Sequence, residues 1–152
     1  MLETLDRDLE EFRRHLRVRL RRAVRNSLGQ SAGSPAFHIV EKLVSTGPLS
    51  PAELAAAMEV RTSTMAAHLD RLEELGWAQR GPAGSGTNRV RVWATPAGRR
   101  ACEQYAALRR GVLSALLEPL GPEHLEAFAA ALRLCVQARR GDAGGTGEAF
   151  SR

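Results

Sequence analysis

The sequence predicts a mainly α-helical fold with one small β-hairpin. Four long stretches place apolar residues three and four positions apart, which is the spacing of one helix face. Two shorter helical segments lie between them, at residues 51–75, and the period changes to two only between residues 77 and 95. With 152 residues, 43% of them hydrophobic, the chain can form one ordinary domain with a core.

The first helix is predicted from a stripe of seven apolar residues that begins at Leu2 and ends at Val24. Its second half also carries seven arginines: Arg13, Arg14, Arg17, Arg19, Arg21, Arg22 and Arg25. We interpret these arginines as a solvated face, and contact with a nucleic-acid backbone is the alternative.

The stretch "NSLGQSAGS" at residues 26–34 is predicted to be a loop, because small and polar residues dominate it. Ser34 and Pro35 then begin a second helix, which is expected to stop at Gly47.

The third helix has an unusually complete start signal. Ser50 can act as N-cap, Pro51 takes the first helical position and Glu53 completes a capping box. This helix is predicted at about residues 51–58, and only a tight turn fits before the next helix begins near Thr62. Two short helices joined by such a turn form a helix-turn-helix.

The charge of the chain favours a polyanionic partner. The net charge is +5, and 21 of the 22 basic residues are arginine, whose planar guanidinium suits phosphates and base edges. A bias in coding composition is the alternative explanation.

The outer face of the fourth helix differs in charge between its first and second halves. Its inner face is predicted to be core: Met65, His68, Leu69, Leu72 and Leu75. The outer face is small and neutral at Ser63, Ala66 and Ala67, and acidic at Asp70 and Glu74. We expect the first half to enter a DNA groove and the second half to remain in solvent or against other helices.

Arg61 precedes this fourth helix. A cation at that end opposes the helix macrodipole by roughly 0.3–1 kcal/mol unless an anion lies beside it. A DNA phosphate would be such an anion.

The runs "WAQRGP" and "RVRVWAT" predict a β-hairpin. Val90, Val92 and Ala94 should face one side of it, and Arg89, Arg91 and Trp93 the other. Its connection "AGSGTN" has no charge, so Arg89 and Arg91 are the side chains expected to meet phosphates or a minor-groove edge. The stretch "GPAGSGT" is not a nucleotide-binding loop, because it lacks the lysine and the following helix.

The segments "GPLSPAELAAAMEVRTSTMAAHLDRLEELGW" and "VRVWATPAGR" together resemble the MarR family of winged helix-turn-helix transcriptional regulators. The resemblance covers about residues 34–103. It implies a DNA-binding winged domain at residues 34–95 and a helical dimerisation region at residues 1–33 and 96–140, formed by the first, fifth and sixth helices. The fifth helix should run from Pro96 to about Glu118, the sixth should begin at Pro122, and the tail at residues 141–152 should be disordered.

The resemblance and the helical pattern together predict which residues contact DNA and which contact an effector. Those expected at DNA are Arg61, Thr62, Ser63, Ala66, Ala67, Arg71, Arg80, Asn88, Arg89 and Arg91. Those expected at a small aromatic or anionic effector, in a cleft between the first two helices and the fifth, are His15, His38 and Tyr105. Gly86 and Asn88 stand where the family usually has an acidic residue and an arginine, so the family pattern leaves minor-groove insertion by the wing tip open, with Arg89, one residue away, as the candidate substitute.

Other classes of function lack a matching motif. The four histidines lie on separate segments without metal-ligand spacing, and no acid/base pair or activated nucleophile is indicated, so we predict no metal, no cofactor and no enzyme. Cys102 and Cys135 are predicted to be core thiols, and the absence of the family's N-terminal reactive cysteine argues against oxidant sensing. Without a membrane span or signal sequence, the protein is expected in the cytoplasm.

The resemblance therefore implies a homodimeric regulator that binds a pseudo-palindromic double-stranded operator and is released by a small ligand; a repressor is expected, with an activator as the alternative. The alternative class of function is a winged-helix module that binds another protein and no DNA.

Overall fold

The computed structural model describes residues 1–29, 34–82 and 89–142. Six helices and two strands follow one another in the order α1 (Leu2–Leu28), α2 (Ser34–Thr46), α3 (Pro51–Ala57), α4 (Thr62–Glu74), β1 (Ala78–Pro82), β2 (Val90–Ala94), α5 (Pro96–Leu117) and α6 (Pro122–Asp142). The mainly helical fold with one hairpin is thereby confirmed. The chain divides into two compact units, Met1–Leu113 and Ser114–Arg152.

The loop predicted at residues 26–34 begins later than expected, because α1 continues through Leu28. Leu28 is partly buried against a small cluster that includes Val24 and Phe37. The stabilisation gained by burying Leu28 outweighs the preference of the neighbouring polar residues for a loop. Gly29 then ends the helix with a φ of 77°, which glycine adopts without strain, and residues 30–33 lie outside the described part of the chain.

The capping box of α3 is confirmed. The Glu53 amide donates to Ser50 Oγ at 3.2 Å, and the Ser50 amide donates to Glu53 Oε2 at 2.7 Å. The helix ends at Ala57, one residue before the predicted end, and the turn to α4 requires Glu59 at a φ of 54°. Nothing in the local sequence indicates this left-handed residue, since the turn is not made by glycine or asparagine.

The main core lies where α4 packs against α2, α3 and the hairpin. Met65, Leu69 and Leu72 of α4 are fully buried, as their spacing predicts. They belong to one cluster with Val40 and Val92, among other residues of α2 and β2. His68 and Leu75, also expected in the core, are only half-buried at its edge. This packing leaves the opposite face of α4 open to solvent.

The hairpin has antiparallel pairing, with Ala78 opposite Ala94 and Pro82 opposite Val90. Val92 and Ala94 are buried as expected, whereas Val90 is 46% exposed. Val90 lies at the far end of the hairpin from Ala94 and is not part of the core cluster. Leu49, which precedes α3, exchanges two backbone hydrogen bonds with Val92, at 3.1 and 2.8 Å. The hairpin is therefore fixed to the start of the helix-turn-helix.

The start of α5 is fixed by Thr95. Its Oγ1 accepts from the Gly98 amide at 3.1 Å and donates to the Gly76 carbonyl at 2.6 Å. The first residues of α5 thus hold the end of α4 and the hairpin together.

In the second unit, α6 exposes large apolar side chains along its length, namely Leu125, Phe128, Leu132, Leu134 and Val136. The predicted tail is wrong for Gly141 and Asp142, which are still helical, and residues 143–152 lie outside the described part. None of the described helices is long and apolar enough to span a membrane.

The two cysteines differ, which corrects the expectation of two core thiols. Cys135 is exposed because the apolar side chains of α6 around it, such as Leu132 and Val136, are themselves exposed. Cys102 is half-buried, and its thiol donates to the Phe37 carbonyl at 3.4 Å. Burial raises the pKa of the Cys102 thiol to about 11, so it is protonated at neutral pH and unreactive.

Candidate nucleic-acid interface and adjoining cleft

The first half of α4 forms an exposed, uncharged surface. Its members are Thr62, Ser63, Thr64, Ala66 and Ala67, all exposed. The buried side chains on the other face of the helix hold this surface outward. The small side chains would let the helix backbone approach a groove closely.

The N-terminus of α4 is suited to an anion. Arg61 is the N-cap residue, its side chain makes no capping hydrogen bond, and the first turn contains no acidic residue. The first amides of a helix have no partner within the helix. These amides and the exposed Arg61 side chain therefore both contribute positive potential at the N-terminus of α4.

Arg80, which is predicted to contact DNA, forms ion pairs within the protein. Its guanidinium donates to Asp70 of α4 and lies 3.4 Å, Nε to Oε2, from Glu73. The backbone amide of Arg80 donates to the same Glu73 carboxylate at 3.0 Å. Only 29% of the Arg80 side chain is exposed. The acidic second half of α4 thus serves to fix β1, which the sequence did not indicate.

Arg91, also expected at DNA, makes a similar connection between β2 and α3. Its Nη1 donates to Glu53 Oε2 at 2.7 Å. The Ser50 backbone amide donates to the same carboxylate, and this bond, followed by the one with the Ser50 side chain, lowers the pKa of Glu53; Arg91 and Arg89 lower it further. The charge of Arg91 is therefore largely offset before any ligand arrives.

Two other predicted arginines are more accessible. Arg89 is exposed, and its side chain makes no ion pair with any residue in the described ranges. Arg71 is 47% exposed and pairs with Glu74 at 2.6 Å on the outer side of α4. Asn88 and Gly86, at the predicted wing tip, lie outside the described residues.

A cleft of about 890 Å³ adjoins this domain between α1, α2 and α5. His38 and Tyr105, two of the residues predicted to contact an effector, line this cleft. Its lining residues are Arg13, Leu16, Arg17, Leu20, Arg21, Val24, Arg25, Gly29, Pro35, Phe37, His38, Tyr105 and Arg109.

His15 does not line the cleft, which corrects the prediction for this residue. It is 55% exposed, and its Nε2 lies 3.9 Å from Glu11. The cleft is bordered by Arg13 and Arg17, and a position two residues from each points to the other side of a helix.

The inner wall of the cleft is aromatic. The Phe37 and Tyr105 rings stack with centroids 4.2 Å apart and an interplanar angle of 7°. His38 meets the Tyr105 ring edge-on at 6.1 Å, and the Arg109 guanidinium carbon lies 6.0 Å from its centroid. Phe37 and Tyr105 are only 1% and 5% exposed, so the cleft offers little aromatic surface beside its cationic groups.

Among the described residues, no cluster of three histidine, cysteine or acidic side chains could hold a metal ion.

Comparison with known proteins gives a consistent result. The MarR family model matches residues 34–83. No curated protein matches the sequence. Among solved structures, a MarR family protein from Bacillus stearothermophilus is 25% identical, with a TM-score of 0.78 over 91% of this chain and 95% of that one.

Two more distant structures share the fold. YusO from Bacillus subtilis is 20% identical, with a TM-score of 0.75 over 90% of this chain and 95% of that one. FabT from Streptococcus pneumoniae, solved in complex with DNA, is 14% identical, with a TM-score of 0.77 over 92% of this chain and 98% of that one.

Proposed function

We propose that this chain is a MarR family transcriptional regulator that binds double-stranded DNA in a sequence-specific manner, because the MarR family model matches its residues 34–83 and a MarR family protein shares its fold. The observation that carries the proposal is the exposed surface of α4, which is free of charge from Thr62 to Ala67 and follows Arg61 at an open helix N-terminus. An acidic surface at this place would be repelled by the DNA phosphates.

In the proposed complex, the first half of α4 lies in the major groove, and phosphates contact Arg61, Thr62 and the exposed Arg89. Ser63, Ala66 and Ala67 can contact thymine methyl groups, but they provide no bidentate reader of guanine or adenine. Operator choice would then depend strongly on DNA shape and deformability.

We propose that the regulator is a homodimer. The start of α1 exposes Leu2, Leu5 and Leu9 by 79%, 58% and 50%, and α6 separately exposes an apolar row that includes Phe128 and Leu132. Exposed apolar residues in such rows are typical of surfaces that another chain covers. A two-fold dimer would present two α4 helices to a pseudo-palindromic operator.

We further propose that the protein is a repressor and that a ligand in the cleft releases it from DNA. The cleft is lined by residues of α1, α2 and α5, and α2 packs against α4 through the main core. A ligand that favours one spacing of these helices would change the separation of the two α4 helices in a dimer.

The test is binding to the DNA upstream of the protein's own gene, measured by fluorescence anisotropy with unrelated DNA as competitor. Nanomolar binding that survives the competitor supports the proposal. Ala67→Glu should abolish the preference for that DNA, whereas Ala107→Glu, an equal change of charge on the exposed side of α5, should leave it intact. Lack of binding at low salt would instead favour the alternative, a protein-interaction module.

A further inference from the structure

Three helices of the described chain are followed by a glycine with positive φ. These glycines are Gly29 after α1, Gly47 after α2 and Gly76 after α4, with φ of 77°, 84° and 69°. The end of α3 differs, because it places Glu59 at a φ of 54°. Glu59 is the only residue other than glycine with a positive φ in the described part of the chain. An L side chain rarely adopts this conformation, whereas glycine adopts it freely.

The backbone at the end of α3 has the hydrogen bonds of a Schellman motif, in which glycine is usual at the left-handed position. The Val60 amide donates to the Ala55 carbonyl at 3.0 Å, and the Glu59 amide donates to the Ala56 carbonyl at 3.1 Å. Both bonds are made by the backbone and would form equally well with glycine at position 59. The glutamate side chain therefore adds strain and contributes nothing to these bonds.

The Glu59 side chain also has no partner in the protein that explains it. It is exposed and makes no ion pair with any residue in the ranges 1–29, 34–82 and 89–142. Strained backbone positions cluster where the side chain serves a function. A strained residue without an internal contact points to an effect on a binding partner.

Glu59 lies close to the expected position of a DNA phosphate. Thr62, the first residue of α4, follows it by three positions, so the two Cα atoms are at most about 11 Å apart. Arg61 and the free amides give this helix N-terminus a positive potential, and the first turn of α4 has no acidic residue. A carboxylate within about one Debye length of that N-terminus repels a phosphate bound there.

We propose that Glu59 limits the affinity of the protein for DNA, an inference that rests on the DNA binding proposed above. Its negative charge opposes the attraction that the net charge of +5 exerts on the phosphate backbone. The repulsion acts on phosphates and not on base edges, so it applies to DNA of any sequence. Binding therefore depends more on the groove contacts of α4 than it would with a neutral residue at position 59.

The test compares the parent protein with Glu59→Gln, which removes the charge and keeps the length of the side chain. We expect the variant to bind both the DNA upstream of its gene and unrelated DNA about three- to tenfold more tightly at low salt. Its slope of log affinity against log salt concentration should be steeper, by up to about 0.9, because salt no longer screens a repulsion. Fluorescence anisotropy over a salt series measures both quantities.

Two further variants separate the position of the charge from the strain. Glu103→Gln removes an equal charge from an exposed position of α5, outside the helix-turn-helix, and should leave both affinities within about twofold of the parent values. Glu59→Gly removes the charge and the strain together. It should bind DNA as tightly as Glu59→Gln and, without DNA, melt about 2–4 °C above the parent protein.

Unchanged DNA affinity of Glu59→Gln would overturn the inference, as would an equal gain in Glu103→Gln, which would reflect net charge alone. Weaker binding of Glu59→Gln to the upstream DNA alone would also overturn it, because Glu59 would then contact a base. A melting temperature of Glu59→Gly at or below that of the parent would refute the strain at position 59 and the argument built on it. Failure of the parent protein to bind either DNA at low salt would instead refute the proposed function, and this inference with it.

Discussion

At the scale of single residues, the arginines of the hairpin differ in whether a carboxylate of the protein already pairs with them. Arg80 and Arg91 are bound to carboxylates of α4 and α3, whereas Arg89 is exposed without an ion pair in the described chain. An arginine that is already paired with a carboxylate displaces fewer counterions from DNA when it contacts a phosphate. We therefore expect Arg89 to contribute more than Arg91 to the salt dependence of DNA binding, whereas the sequence alone suggested equal contributions.

We predict that Arg89→Ala lowers the slope of log affinity against log salt concentration by about 0.9, with similar weakening on operator and unrelated DNA. Arg91→Ala should change the slope by less than half as much, because Glu53 already offsets its charge. A salt series with both DNAs measures the two slopes. Equal changes in slope would show that the Arg91–Glu53 pair opens when DNA binds.

Ala67→Glu should weaken operator binding by more than Arg89→Ala does, and by at least about tenfold, because a carboxylate would face phosphates and base acceptors. Unrelated DNA, held mainly by backbone contacts, should be affected less. The ratio of the two affinities, measured by anisotropy, tests this. An unchanged ratio would mean that this face of α4 does not read the operator.

Glu53 should make the fold sensitive to acid. Its folded-state pKa lies below the usual 4.5, so its contribution to stability is complete above pH 4.5 and is lost as the pH falls through the folded pKa. Thermal unfolding between pH 7 and pH 3 should therefore show a smaller acid-induced drop in Glu53→Gln than in the parent protein. Glutamine can keep the capping hydrogen bond, and parallel curves for the two proteins would contradict the prediction.

At the scale of secondary-structure elements, the junction of α4, hairpin and α5 depends on close backbone approach. A Cβ added at Gly98 would lie 2.2 Å from the Trp77 carbonyl oxygen, whereas one at Gly111, on the same helix, would meet nothing within 4 Å. The Trp77 carbonyl also accepts from the Thr95 amide at 3.0 Å, so it cannot easily move away.

Gly98→Ala should destabilise the protein by roughly 1–3 kcal/mol, because the backbone of α5 must shift. Gly111→Ala should stabilise it by about 0.5–1 kcal/mol through helix propensity alone. Urea unfolding of both variants provides the comparison. The explanation fails if both substitutions change stability in the same direction.

At the scale of the whole molecule, the proposed dimer has a geometric consequence for DNA. Two α4 helices related by a two-fold axis should protect a pseudo-palindrome whose half-sites are about 10 bp apart, one helical turn. Sedimentation at micromolar concentration and a footprint on genomic DNA are the measurements. A monomer bound to an asymmetric site would refute the symmetric arrangement.

The sequence by itself determined the features that depend on neighbouring residues. The capping box at Ser50 and Glu53, the Thr95 cap of α5 and the buried stripe of α4 all join positions two to four residues apart. Such contacts follow from helix geometry alone, whatever the rest of the chain does. For the same reason the uncharged front of α4 could be predicted from its period.

Only the tertiary structure decided which charges remain available. Arg80 meets Asp70 ten residues away, and Arg91 meets Glu53 thirty-eight residues away, through the register of the hairpin and its bridge to Leu49. The cleft, likewise, requires α1 and α5 to approach the same side of α2. These pairings depend on how elements pack and not on local spacing, which is why the sequence could not show that Arg80 and Arg91 are already paired with carboxylates.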